Sequence, residues 1–449
     1  MKSNRFMKLI AIIILFLSQI MYAESFNISV SPLYDGLQNF YRVTVKGIYE
    51  LGDFQIGGDL YVTNDNMYYD PAHYKFYFGG YFNVKEGFVK FNWDNFTIKA
   101  GRFVLEDFVD SPYSVFISGA GISAPSLFLT YSSERFFYHT QWILLSKNVP
   151  EFNHPDRGVV FKTYGLKIDR IRFAFQDSVV YTNRLFDYEY FLSPMPSFLT
   201  QYTLYAYKPF YQGWDDSSLM GFFTDYLSEN LYLYAQILID DFNMNRFYGG
   251  FQNPDKISWS LGGKIKTKVG IFGLYHAGAT KYTFEPRAPE TGYVLFPESI
   301  VHLKDGTRTL LSEENYVGFK YGENSLAFLV AYESNIVGGS LNLSLEYVIS
   351  GAKSYSNPWQ DLVSTPEYPH LLDDSELEKK AVFEASYSIK ALENFEIFTK
   401  LSFTSIENKL EALPGVDGEG YVLKPTDASE NIFSFILGFL WKFDLLEFF

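Results

Sequence analysis

The sequence predicts an all-β protein: a transmembrane, antiparallel, up-and-down β-barrel of about 18 strands, within a range of about 16–20. Three observations predict it. The chain opens like an exported protein, its body is written in period-two segments, and its last segment runs into aromatic residues at the C-terminus.

Lys2, Arg5 and Lys8 give a basic start, Leu9 to Ile20 is an apolar run, and Met21-Tyr22-Ala23 ends in a small residue before Glu24. This is the layout of a secretory signal peptide cut after Ala23. The expected organisation is therefore residues 1–23 as signal and 24–449 as one barrel. The apolar run is short for a helical span of roughly 20 residues.

Composition narrows the class. The chain has no Cys, so neither a disulfide framework nor a thiolate metal site is available to it. Its formal charge is −15, and loss of the three basic signal residues makes the mature chain more acidic still. Such a surface argues against a nucleic-acid partner. Aromatic residues make up 19% of the chain, as 36 Tyr, 45 Phe and 6 Trp. Beyond the signal, no apolar run is long enough for a helical span. Membrane barrels combine these properties, because only alternate positions face lipid.

The alternation is clearest late in the chain. Leu341, Leu343, Leu345, Tyr347 and Ile349 interleave with Ser340, Asn342, Ser344, Glu346, Val348 and Ser350. Ala381, Phe383, Ala385, Tyr387 and Ile389 interleave with Lys380, Val382, Glu384, Ser386, Ser388 and Lys390. Phe395 to Thr404 and Ile257 to Ile265 obey the same rule. Successive strand side chains point to opposite faces, so each segment has one greasy and one polar face. Several runs reach the roughly 9–11 residues that a tilted transmembrane strand needs. Unpaired strands are not tolerated in lipid, so the sheet must close.

Further strands are expected at 37–48, 53–63, 76–83, 86–93, 95–104, 126–132, 135–146, 158–168, 170–181, 217–227, 229–239, 268–277, 314–322 and 324–334. Long loops are expected at 105–125, 182–216, 278–313, 351–379 and 406–430, with no helical segment. In the last strand Phe433, Phe435, Leu437, Phe439, Trp441 and Phe443 share one face, with Ser434, Gly438 and Lys442 on the other. The terminal Phe449 completes the pattern that barrel-insertion machinery reads. A lysine costs roughly 2–4 kcal/mol at the lipid midplane and nothing in the lumen, which assigns the faces. Lys264, Glu346, Glu384, Glu396 and Lys400 are then candidate lumen-lining residues, together with Lys380, Lys390 and Lys442.

Catalytic patterns are missing. His73, His139, His154, His276, His302 and His370 are scattered, with no His-Glu-x-x-His, phosphate loop or Gly-x-Ser-x-Gly elbow. A non-enzymatic protein without a cofactor or metal is expected. Adjacent Asp240 and Asp241 point to opposite sides of a strand and form no catalytic pair by themselves.

Several stretches, in order over about residues 95–245, resemble the capsule-assembly Wzi family of outer-membrane barrels. Ala100-Gly101-Arg102 resembles its Gly-Arg strand end, followed by the Gly/Ser-rich loop Ser118–Ala124 and Pro125. Asp177-Ser178-Val179-Val180-Tyr181 is similar to its acidic-x-Val-Val-Tyr strand end, and Tyr190-Phe191-Leu192-Ser193-Pro194 to its Tyr-Leu-x-Pro segment. Asp215 and Asp216 fall at its acidic/Asn cluster, and Gln236 to Phe242 looks like its Gln-x-Leu-Ile-Asp-Asp-Phe block. The family's long, partly helical N-terminal region has no counterpart here, and nothing beyond residue 250 aligns with it.

The resemblance implies an 18-stranded type of barrel in the outer membrane, associating with surface polysaccharide through its outer loops. Trp214, Asp215, Asp216 and Trp359 are candidate sugar contacts, since rings stack on sugar faces and carboxylates accept hydroxyl hydrogen bonds. The competing expectation for the same tryptophans is the interfacial aromatic girdle. The competing function is a porin-like channel for small hydrophilic solutes. Segments 105–125 and 278–313 are each long enough to constrict such a channel, and a loop seated in the lumen is the feature that separates the two readings.

Overall fold

The computed structural model describes residues 25–34, 39–64, 80–147, 155–207, 216–242, 254–285, 291–295, 300–303, 306–309, 311–353, 371–393, 395–414 and 421–443. The strands are β1 (Ser25–Tyr34), β2 (Asn39–Leu51), β3 (Phe54–Thr63), β4 (Tyr81–Trp93), β5 (Phe96–Val104), β6 (Ser123–Ser132), β7 (Phe136–Ser146), β8 (Arg157–Ile168) and β9 (Ile171–Thr182). They continue as β10 (Ser217–Leu227), β11 (Leu231–Asp241), β12 (Lys256–Thr267), β13 (Gly270–Ala279), β14 (Ile300–Leu303), β15 (Gly306–Thr309), β16 (Ser325–Ile336) and β17 (Gly339–Ser350). The last are β18 (Glu378–Leu392), β19 (Phe395–Glu407), β20 (Leu410–Pro414), β21 (Tyr421–Pro425) and β22 (Glu430–Phe443).

Among the described residues, eighteen of these strands form one sheet in which each pairs antiparallel with the next. β14–β15 and β20–β21 are separate hairpins. β22 pairs with β19 on one side and with β1 on the other, from Phe26 opposite Phe443 to Tyr34 opposite Phe435, which closes the ring. The wall strands run from 9 residues in β5 to 15 in β18.

Parity around the ring agrees with the expected faces. Leu345 on β17 and Phe433 on β22 are 57% and 53% exposed, and Leu274, Val330, Phe383 and Phe403 share that outer surface. The links at one end of the barrel are two- or three-residue turns. Asp94, Asp169 and Val337 adopt positive φ there, the left-handed geometry that tight turns require. All long connections lie at the opposite end.

Three differences from the sequence expectation have physical causes. The expected strands 76–83 and 86–93 contribute to one strand, β4, in which Lys85 is an extra residue between the pairs Asp59–Glu86 and Leu60–Val84. A bulge inverts the parity of the residues beyond it, so one strand reads as two. Residues 314–322 are not a wall strand. They take in the end of α3 (Ser312–Asn315) and the buried turns after it, and lie inside the ring. Surrounded by protein on all sides, they are as apolar as a strand.

Helices are present as well. After β9 the chain forms α1 (Tyr188–Leu192) and α2 (Ser197–Tyr207), which pack against the outside of the wall. The inner face of β7–β9 carries His139, Gln141, Phe161, Thr163, Gln176 and Ser178, paired in register. The helices touch the opposite parity. Trp142, Val160, Val179 and Tyr181 form a cluster with Tyr190 and Phe191, flanked by Leu127 and Leu129 of β6.

Candidate functional site

The β5–β6 connection, 105–122, turns into the barrel. Its base is held where Leu105 N donates to Ile122 O at 2.8 Å. Asp107 is the central anchor, accepting from Gln176 Nε2 (2.7 Å) on β9, from Gln236 Nε2 (2.9 Å) on β11 and from the Ser114 hydroxyl. Gln236 returns the contact, its Oε1 accepting from Val115 N at 3.0 Å. The buried polar atoms of Asp107 and Gln236 thus meet partners, as a dry interior requires.

The segment reaches the far end of the barrel. Phe108 O accepts from Arg172 Nη2 (3.0 Å) and Asp110 N donates to the Tyr232 hydroxyl (2.9 Å). Arg172 and Tyr232 are the second residues of β9 and β11, at the tight-turn end. Lys264 closes on Asp110 at 2.7 Å, and Tyr113 donates to Glu346 at 2.7 Å on β17, nearly diametrically opposite β5 in the strand order.

Two more stretches, residues 280–285 with 291–295 and residues 311–324, pack at the long-loop end. Arg157, the first residue of β8, donates to Gly292 O (2.6 Å) and Val294 O (3.1 Å). Tyr293 donates to Phe116 O at 2.8 Å, and Ser118 N to Val317 O at 2.6 Å, so the three segments form one body. Tyr113, Phe116, Phe284, Tyr293, Tyr316, Phe319 and Tyr321 are all buried within it. Lys320 bridges to Glu346 at 2.9 Å and Lys380 to Glu313 at 2.8 Å. Burial, reinforced by Glu323, pushes the Glu285 carboxyl well above the ordinary carboxylate range despite Arg157 and Lys256 nearby.

The lumen is not uniformly filled. A cavity of about 320 Å³ lies between the plug and the wall of β3–β7, lined by polar groups including Gln55, Lys90, Lys99, Glu106, His139 and Gln141. On β18–β19, Glu384 and Lys400 pair at 2.6 Å and are each 38% exposed.

The structure disperses the residues singled out in the sequence. Lys264, Glu346, Glu384 and Lys400 lie on the inner face, the first two bound to the plug; Glu396 is in register with Lys390. Gly101 sits at φ +133, where a Cβ would lie 2.2 Å from Gly87 O, so the wall needs glycine there. Arg102 Nη1 donates to Ser123 O at 2.9 Å and holds the mouth of the 105–122 loop. Pro194 lies on the external excursion. Asp240 is the extra residue of a bulge between the pairs Ile239–Ile257 and Asp241–Lys256, and its carboxylate meets Lys256 Nζ at 3.4 Å. Asp241 is in register with Lys256, so the bulge turns both carboxylates toward the Lys256 side, where an unbroken strand would have pointed them to opposite faces.

Asp216 is not an exposed sugar contact. It is buried, and its Oδ2 accepts from Arg184 Nη2 (2.7 Å) and the Tyr190 hydroxyl (2.8 Å). Trp214, Asp215, Trp359 and Phe449 lie outside the described residues, as does the Lys442 side chain. Sequence reasoning missed Asp107 and Arg157. Neither carries a local signal, because their partners come from strands distant in the chain.

A closed ring of eighteen antiparallel strands, apolar outside and polar inside, defines a transmembrane β-barrel of the outer-membrane type. No protein-family model matches the chain, and no curated protein matches it by sequence. Among solved structures it is similar to Wzi of Escherichia coli, described as an outer-membrane protein involved in group 1 capsule assembly and a carbohydrate-binding β-barrel. The TM-score is 0.56 at 12% identity, over 96% of this chain and 87% of that one. OprD of Pseudomonas aeruginosa is a weaker match, with a TM-score of 0.43 at 12% identity over 94% and 95% of the two chains. OccD3 of the same organism gives 0.44 at 11% identity over 93% and 91%. The likeness to Wzi is one of fold, and it agrees with the family that the motifs of residues 95–245 resemble.

Proposed function

We propose that this chain is a non-enzymatic, Wzi-like barrel of the outer membrane that associates with surface polysaccharide. The filled lumen supports this reading. Asp107, Gln236, Tyr113 and Glu346 tie a polar and aromatic body across the ring, where a diffusion channel needs continuous water. In this reading residues 1–23 are removed as a signal and 24–449 are inserted by barrel-assembly machinery that reads the aromatic C-terminus. In the same reading Trp214, Asp215 and Trp359 are the sugar contacts that the sequence nominates.

A porin-like channel is the second reading, favoured by the polar cavity beside the plug and the half-exposed Glu384–Lys400 pair. Conductance of folded residues 24–449 in a planar bilayer separates the two. The capsule reading expects a closed baseline and retention on immobilised capsular polysaccharide. Large stepwise openings without retention would overturn it in favour of a channel.

A further inference from the structure

The external excursion Arg184–Tyr207 is explained by neither reading. It descends the outside of the wall to mid-height. Ser193 and Met195 meet Lys162, the sixth of twelve residues in β8, and Ser197 meets Asp177, the seventh of twelve in β9. A lysine and an aspartate at mid-height on the outer face would be costly against acyl chains.

Here they serve the excursion's backbone. Trp142 Nε1 donates to Leu185 O (2.8 Å), Thr140 to Phe191 O (2.9 Å), and Lys162 Nζ to Ser193 O (2.9 Å) and Met195 O (2.7 Å). Asp177 accepts from Ser197 N at 2.5 Å. Pro194 and Pro196 carry no N–H to satisfy. Three polar side chains of α2 are also partnered. Thr200 and Thr203 donate to Pro196 O and Leu199 O, and Gln201 pairs with Asp216 O and Ser218. Irregular backbone within a bilayer must be satisfied by protein in this way. An aqueous loop has no such need.

The outer surface completes the argument. From Phe191 to Tyr207 there is no charged side chain. Leu192, Met195, Leu199 and Tyr202 are exposed, as are the apolar residues of the lipid-facing wall. The charged groups of the excursion, Arg184, Asp187 and Glu189, all precede this stretch, and Arg184 pairs with Asp187 and Asp216 at the strand tops, where headgroups lie.

We propose that Phe191–Tyr202 is a re-entrant element embedded in the membrane, its outer face in contact with acyl chains. This rests on the barrel spanning a membrane. Because the chain has no cysteine, single nitroxide labels can be placed without background. Leu192→Cys, Leu199→Cys and Tyr202→Cys would be compared in phosphatidylcholine vesicles with Leu345→Cys on the wall and Asp53→Cys in a tight turn. Embedding predicts that the three labels collide with oxygen in preference to a water-soluble nickel complex, as Leu345→Cys does. Preferential nickel collision at the three, with Leu345→Cys still lipid-like, would overturn this inference alone. Nickel collision at Leu345→Cys would overturn the membrane reading itself. Labels shielded from both reagents would mean that a second copy covers the face, and would also overturn the proposal.

Discussion

The barrel has two unlike halves. On β8 and β9 both faces are covered, the inner by the plug and the outer by the excursion, and seven consecutive residues at the long-loop end of each strand are buried apart from the alternation rule. On β4 and β19 no such run occurs: residues of β4 alternate between partial cover and exposure, and in β19 every residue but Ile406 is partly covered or exposed. The same strand geometry therefore gives two kinds of wall. One is built like the core strand of a soluble protein, where every polar group needs a named partner. The other is a membrane strand in which solvent or lipid satisfies each face by its own chemistry.

Substitutions should separate the halves, and the largest effect is expected at the plug. Asp107→Ala removes the carboxylate that accepts from the amides of Gln176 and Gln236 and from the Ser114 hydroxyl. The expected loss is about 3 kcal/mol, because hydrogen bonds to a carboxylate are among the stronger ones. Chemical unfolding in detergent micelles measures it, and bilayer recordings should show new openings as the plug loosens.

Lys162→Met, near in size, strips two carbonyls of their donor on the outer face. About 2 kcal/mol should be lost, with α1 and α2 becoming protease-sensitive before the barrel unfolds. The matching change in the open half, Lys400→Met, removes a pair whose members are each 38% exposed. It should cost at most about 1 kcal/mol, and the difference should shrink at high salt. Equal losses at Lys162 and Lys400 would erase the distinction between the halves.

Glu285→Gln should act in the opposite direction, and by the least at low pH. Its carboxyl is fully buried and held above the ordinary value of 4.5, first by burial and then by Glu323. The folded protein therefore keeps this proton to higher pH than the unfolded chain does. As pH rises past 4.5 the unfolded chain releases it first, and native stability falls until the folded value is passed. The glutamine variant should match the native chain near pH 4 and exceed it at pH 8, as measured by thermal unfolding in micelles. A native chain that gains relative to the variant between those pH values would show that Glu285 is ionised in the plug.

The class of fold was legible because alternation records two environments along each strand. Leu341–Ile349 against Ser340–Ser350 assigned inner and outer faces correctly, and the expected figure of about 18 strands agrees with the ring, although β1 and the long connections after β3 and β11 are not among the expected elements. Gln236 stood out by motif, although its role as a plug anchor did not. Local sequence could not say where the connections go. Segment 105–122 enters the lumen because Gln176, Gln236 and Glu346 converge there from three distant strands. Segment 184–207 lies outside because Thr140, Lys162 and Asp177 face outward to receive it, and residues 314–322 imitate a wall strand while filling the lumen. Alternation reports only apolar or polar surroundings. It cannot tell lipid from a protein core, or water from a partner carbonyl, and closing the ring is what decides which of these each side chain meets.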